Sequence, residues 1–153
     1  MKLSRECEYG LEGLLFLAAQ PPNAVLLLSE VAGARQLPQS FLAKIFQKLS
    51  QRGLLRSYRG ATRGYALARR PEEISLREVF EAIEGPELFD RCVFWNKRCA
   101  EDHPCLLHGR WSHLKPQFVA LMEQTHLGDL QRERQVLSGS QSAPPGPAEG
   151  QEG

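Results

Sequence analysis

Apolar residues recur at helical spacing over the first part of the chain. Leu11, Leu14, Leu15 and Ala18 predict a helix over 3–19, with Ser4 as N-cap and Glu6 and Glu8 favouring its start. Pro21, Pro22 and Asn23 stop it, and Ala24–Leu28 is a short apolar run. Ser29 is placed to cap a second short helix over 30–35. A turn at Leu37-Pro38 leads into a third helix ending near Gln51, whose buried stripe is Phe41, Leu42, Ile45, Phe46 and Leu49. Gly53 closes that helix. The pattern then changes period: Leu54–Tyr58 and Tyr65–Leu67 flank a Gly-bounded loop, which predicts a hairpin.

Helix, short helix, turn, helix and hairpin, in that order, make a winged helix-turn-helix over 1–71. Ser75 with Glu78 forms a capping box for a helix to about Glu84, halted by Gly85-Pro86. Residues 86–104 are irregular. A second amphipathic helix from about 104 to 126 carries Leu107, Trp111, Leu114, Phe118, Leu121 and Met122, with a kink or break expected at Pro116. The fold class is therefore mostly α with a small β wing, the long C-terminal helix serving for dimerisation. Residues 72–137 form the second unit, and the Ser-, Gly- and Pro-rich residues 138–153 are expected to be a disordered tail.

Composition adds little by itself, since 42% apolar and 24% charged residues are ordinary for a globular chain of 153 residues. No apolar run reaches the roughly 18 residues of a membrane span, and the most apolar stretch follows acidic rather than basic residues, unlike a signal peptide. A cytoplasmic protein without a membrane partner is expected. Charge distribution is more informative. Residues 31–71 contain no Asp or Glu and nine Lys or Arg, although the whole chain carries only +1. Such a segment is the footprint of a polyanion-binding surface. Gln39, Ser40, Ala43, Lys44, Gln47 and Lys48 occupy the outer face of the third helix, where amide and cationic groups suit double-stranded DNA. Arg59 and Arg63 stand at the hairpin tip, suited to a minor groove. A winged helix used for protein contacts is the competing reading.

Three of the four Cys fall close together: Cys92, Cys99 and Cys105, with His108 one helical turn beyond the last. Thiolates and an imidazole gathered in this way suit a soft or borderline metal centre. The gaps are wider than the pairs usual for zinc and fit an iron–sulfur cluster better; zinc and unligated thiols remain open. No nucleotide-binding Gly loop, nucleophile elbow or His-Glu-x2-His pattern occurs, so the chain does not read as an enzyme.

Taken together these segments resemble the IscR-type (Rrf-family) bacterial transcription regulators. The likeness rests on Met1–Ser4 with Tyr9, Leu37–Leu49, Gly53–Ser57 with Arg59-Gly60, Gly64–Ala68, the Cys-rich loop, Cys105–His108 with Trp111, and Leu127–Leu130. The resemblance implies a homodimer on a palindromic operator, with Cys92, Cys99 and Cys105 as cluster ligands. In the iron–sulfur assembly branch the fourth ligand is a His at the place of His108 and the cluster is [2Fe–2S], the preferred expectation here. In the nitric-oxide-sensing branch a partner acidic residue at the place of Glu8 completes a [4Fe–4S] cluster; Cys7 is a further alternative ligand. A non-DNA-binding iron–sulfur carrier is the remaining alternative. Two departures from the family pattern stand out. The first Cys gap is one residue longer than usual in the assembly branch, and Arg63 replaces a wing Gly, removing a position free to take positive φ.

Overall fold

A computed structural model describes residues 1–95 and 97–141. Its elements are α1 (Arg5–Ala18), α2 (Leu28–Arg35), α3 (Gln39–Gln51), β1 (Leu55–Tyr58), β2 (Gly64–Leu67), α4 (Leu76–Glu84), α5 (His108–Gln124) and α6 (Leu127–Gln141). Single 3₁₀ turns lie at Gly60–Thr62, Pro71–Glu73 and Leu88–Asp90.

Helix α1 is the centre of the packing, touching α2, α3, α4, α6 and β2. It buries Leu14, Leu15 and Leu17 against Leu42, Ile45, Phe46 and Leu49 of α3. Val79, Phe80 and Ile83 of α4 complete the same core, so the apolar interior runs without a break across residue 71. Close approach is made possible by Gly13: a Cβ there would lie 2.7 Å from Cε1 of the Phe46 ring. Tyr65 of β2 meets the Phe46 ring edge to face at a centroid distance of 5.1 Å, fastening the hairpin to α3.

The wing is the antiparallel pair β1–β2, with Leu55 opposite Leu67 and Ser57 opposite Tyr65. The apolar run before α2 joins it: Leu26 and Tyr65 exchange both backbone hydrogen bonds, at 2.9 and 2.8 Å. Gly64 has φ +144° and its missing Cβ would fall 2.4 Å from Leu26 O. Arg63, by contrast, is extended at φ −60°, so replacing a wing Gly there costs no left-handed conformation.

Several expectations are corrected. Phe41 is 54% exposed rather than buried. On a 100° wheel Leu42, Ile45, Phe46 and Leu49 span about 100°, and Phe41 falls about 40° beyond that arc. Ser29 does not cap α2; the helix starts earlier, and the Leu27 N–H donates to the Glu30 carboxylate at 2.7 Å. Ser4 occupies the N-cap position of α1, but its hydroxyl binds Glu84 of α4 instead of the helix end. The capping box at Ser75 and Glu78 is formed.

The C-terminal half differs most. Helix α5 starts at His108 and continues through Pro116 as one helix. The break comes at Thr125-His126, where the Leu76 N–H donates to Thr125 O and the Leu127 N–H to Ile74 O, both at 2.9 Å. This short bridge turns the chain back into α6, an element the hydrophobic pattern did not announce. Leu127 is fully buried at its start, and Arg134 reaches Glu12 of α1 through both terminal guanidinium nitrogens, at 3.1 and 2.6 Å. Helix α6 extends through Gln141, four residues into the expected tail; residues 142–153 lie outside the described residues. Among the described residues no helix is long and apolar enough to cross a membrane.

The tight α1–α3 contact gives a direct stability test. Gly13→Ala should destabilise the protein by about 1–3 kcal/mol, because the added methyl must displace a rigid ring. Gly33→Ala, where a Cβ meets nothing within 4 Å, should be neutral or stabilising in the same urea titration.

Candidate nucleic-acid interface and metal centre

A concave surface opens between the outer side of α3, the start of α2 and the wing. Gln39, Ala43 and Gln47 line it from one side, and Arg59 and Arg63 from the other. The spacing of the first three, four residues apart, keeps them on one helical strip. Ser29, Ser57 and Tyr58 line the same surface and were not singled out from sequence. Strand parity carried the missed signal for Ser57, which lies opposite Tyr65 in the register. Ser40 and Lys44 are exposed farther round α3. Lys48, grouped with them on the sequence, is turned the other way. Its Nζ lies 2.6 Å from Glu6 of α1 and 3.3 Å from Ile83 O, so it holds α3 to its neighbours.

Ion pairing sorts the nine cations of the acid-free segment. Lys48 pairs with Glu6, Arg35 lies 3.7 Å from Glu12, Arg69 pairs with Glu78 and Arg70 with Glu73. Each of these acids comes from outside the segment. Lys44, Arg52, Arg56, Arg59 and Arg63 have no ion-pair partner among the described residues and all five are exposed. A polyanion can meet these five without first displacing a carboxylate.

The Cys-rich loop is shaped by backbone hydrogen bonds. An antiparallel bridge joins Arg91 to Arg98, the Cys92 N–H donates to Lys97 O and the Cys99 N–H to Asp90 O, both at 2.7 Å. The His108 N–H donates to Cys105 O at 3.0 Å, which fixes the last two donors on one turn. Cys92, Cys99, Cys105 and His108 line one closely packed site that leaves no room for a water molecule, with His103 also on its wall. Within it the donors form two pairs. Cys92 Sγ is 3.9 Å from Cys105 Sγ, and Cys99 Sγ is 3.7 Å from His108 Nδ1.

That division bears on how these residues would hold a metal group. Two ligands at tetrahedral angles on one metal, with bonds of about 2.0–2.3 Å, stand about 3.3–3.8 Å apart. The Cys99–His108 pair at 3.7 Å lies within this range and the Cys92–Cys105 pair at 3.9 Å just beyond it. A single zinc needs all four donors around one point, and among the described residues no group of three or more His, Cys, Asp or Glu converges in that way. A two-iron cluster would be held by Cys92 and Cys105 on one iron and by Cys99 and His108 on the other.

Cys92 is buried, which would push its thiol up, but the Phe94 and Trp95 N–H groups, Cys105 and the terminal ammonium together bring it below its ordinary value. Cys7 and Glu8 do not line this site. Glu8 is exposed on α1. Cys7 is buried against α4, its thiol donating to Glu84 Oε1 at 3.4 Å. Burial and the adjacent carboxylate push it up to about 12.

Residues 3–133 match the Rrf2 family, described as an iron-dependent transcriptional regulator. The chain belongs to this family. It is 31% identical over 132 residues to an Aquifex aeolicus protein assigned as an HTH-type transcriptional regulator, covering 85% of this chain and 91% of that protein. The HTH-type transcriptional regulator IscR of Aliivibrio salmonicida is 26% identical over 136 residues, covering 89% and 80%. The structure of CymR (YrzC), the global cysteine regulator of B. subtilis, superimposes with a TM-score of 0.73 at 25% identity, covering 87% of this chain and 98% of CymR. The Rrf2 chain is thus a winged-helix DNA-binding transcription regulator and not an enzyme.

The Cys7 environment predicts an alkaline signature. Its thiol keeps its proton in the folded protein to about pH 12 and loses it near pH 9 when unfolded. Its contribution is therefore complete below pH 9 and lost as pH rises from 9 towards 12. Over that range urea midpoints should fall less steeply for Cys7→Ala than for the unchanged protein.

Proposed function

We propose that this Rrf2 regulator is a homodimer of the bacterial cytoplasm whose affinity for a palindromic operator is set by an iron–sulfur cluster on Cys92, Cys99, Cys105 and His108. The observation that carries the reading is the division of the four donors into two pairs at 3.9 and 3.7 Å. It favours [2Fe–2S] with His108 as the fourth ligand over arrangements using Glu8 or Cys7. When bound, the cluster supplies a centre that iron supply, oxidants or nitric oxide can alter.

Dimerisation is supported by α5. Leu114 and Leu121, each 55% exposed, continue the heptad spacing of the half-buried Leu107. A second copy offering the same stripe would cover it. On DNA, α3 enters the major groove through Gln39, Ser40, Ala43, Lys44 and Gln47, while Arg59 and Arg63 follow the minor groove. The cluster loop joins α4 to α5, and α6 returns to α1 beside α2, so a change at the loop acts on both sides of the reading head.

Protein purified without oxygen should carry about two irons and two acid-labile sulfides per chain. Four of each would transfer the fourth ligand to Glu8 or Cys7; zinc alone, or no metal, would overturn the cluster reading. Cys92→Ser should change affinity for a palindromic duplex about 5–150-fold relative to the cluster-bound protein. Equal binding would sink the sensing role, and an absence of salt-sensitive DNA binding in both would leave only a carrier. Arg59→Ala and Arg63→Ala should each reduce the salt slope by about 0.9 per contacted phosphate. Lys48→Met should instead lower stability and leave that slope unchanged.

A further inference from the structure

The two donor pairs are chemically unequal. Cys92 and Cys105 are a pair of thiols, whereas Cys99 is matched with an imidazole that cannot form a sulfur–sulfur bond. All four cysteines of the chain are free thiols. We propose that Cys92 and Cys105 are a redox latch: without a cluster they close to a reversible disulfide that blocks cluster return and leaves Cys99 as a thiol. The blocking role rests on the cluster reading above; the disulfide does not.

The geometry favours this pair. The Cys92 backbone is fixed by its N–H to Lys97 O and by the flanking Arg91–Arg98 bridge. Cys105 is fixed by the hydrogen bond its carbonyl accepts from the His108 N–H. Both backbones are held, and the sulfurs, 3.9 Å apart, have to close to the roughly 2.05 Å of a disulfide. Cys7 is not available to compete, because it is buried against Glu84.

Accessibility sets the order of events. Cys105 is partly exposed and Cys92 is buried. With hydrogen peroxide as the oxidant, the Cys105 sulfur attacks one peroxide oxygen and the O–O bond breaks, giving a sulfenic acid and one water. The Cys92 sulfur then attacks the Cys105 sulfur; the S–O bond breaks, the S–S bond forms and a second water leaves. Two thiols are oxidised by two electrons in all, and one peroxide is reduced to two waters. A dithiol reductant reverses the step by exchange.

The test uses the full chain, freed of metal by chelation without oxygen and then treated with one equivalent of hydrogen peroxide. After alkylation and trypsin digestion, mass spectrometry should find residues 92–97 cross-linked to residues 99–110, with the link removed by dithiothreitol. Both Cys99 and Cys105 lie on the second peptide, so variants assign the bond. Cys99→Ser should keep the link and Cys105→Ser should abolish it. A link that survives Cys105→Ser, or overoxidation of Cys105 with no link, would overturn the disulfide. Reduced and oxidised samples are then offered ferrous iron and sulfide. Uptake by the reduced sample alone supports the latch, and equal uptake by both overturns it. No uptake by either overturns the cluster reading and the blocking role with it, while the cross-link result still stands for the disulfide.

Discussion

Helix α1 has to pack closely against α3 on one side and α4 on another, and it can do so because its third turn presents Gly13 where any larger residue would enter the Phe46 ring. That contact sets the height of α3 above the core and therefore how far its outer face stands from the wing. The same ring receives Tyr65 from β2, so one aromatic side chain fixes both lips of the concave surface. Leu26 then ties the wing back to the chain just ahead of α2. The reading surface is in this sense a product of burial: its exposed Gln and Arg residues are held in place by groups that never meet solvent.

Electrostatics complete the division between holding and reading. Acids on α1, on α4 and in the turn before α4 are spent on four cations of the basic segment, leaving five exposed cations unpaired among the described residues. Glu12 has a wider role, since it accepts two hydrogen bonds from Arg134 of α6 while lying near Arg35 at the end of α2. Arg35 also lies over the Phe16 ring at 5.5 Å. The C-terminal helix and the helix-turn-helix thus share one carboxylate on α1.

Legibility in the sequence followed the strength of the local signal. The order of elements up to α4 was readable because each has a strong period, a Gly or Pro stop, or a capping box. Helix α6 was not, because its docking depends on Leu127, on a salt bridge 122 residues away in sequence and on a backbone bridge to Ser75. None of these has a periodic signature. Spacing likewise assembled Cys92, Cys99, Cys105 and His108 as one group but could not divide them into pairs, since pairing arises from how the loop folds on its own backbone. The ion pair of Lys48 was not legible for a related reason: a helical wheel gives its angle, while Glu6, which captures it, lies on another element.

One property of α5 bears on how the loop communicates with the rest of the chain. The helix begins at His108 with Leu107 in the N-cap position, no capping side chain and no acid in its first turn. An N-cap of that kind forgoes about 1 kcal/mol compared with a Ser, Thr, Asp or Asn. Its opening turn is consequently poised between winding and fraying, and Cys105 and His108 straddle it. Cys92, which meets the first of them, and Cys99, which meets the second, therefore act on the turn where α5 begins, at the end nearest the loop.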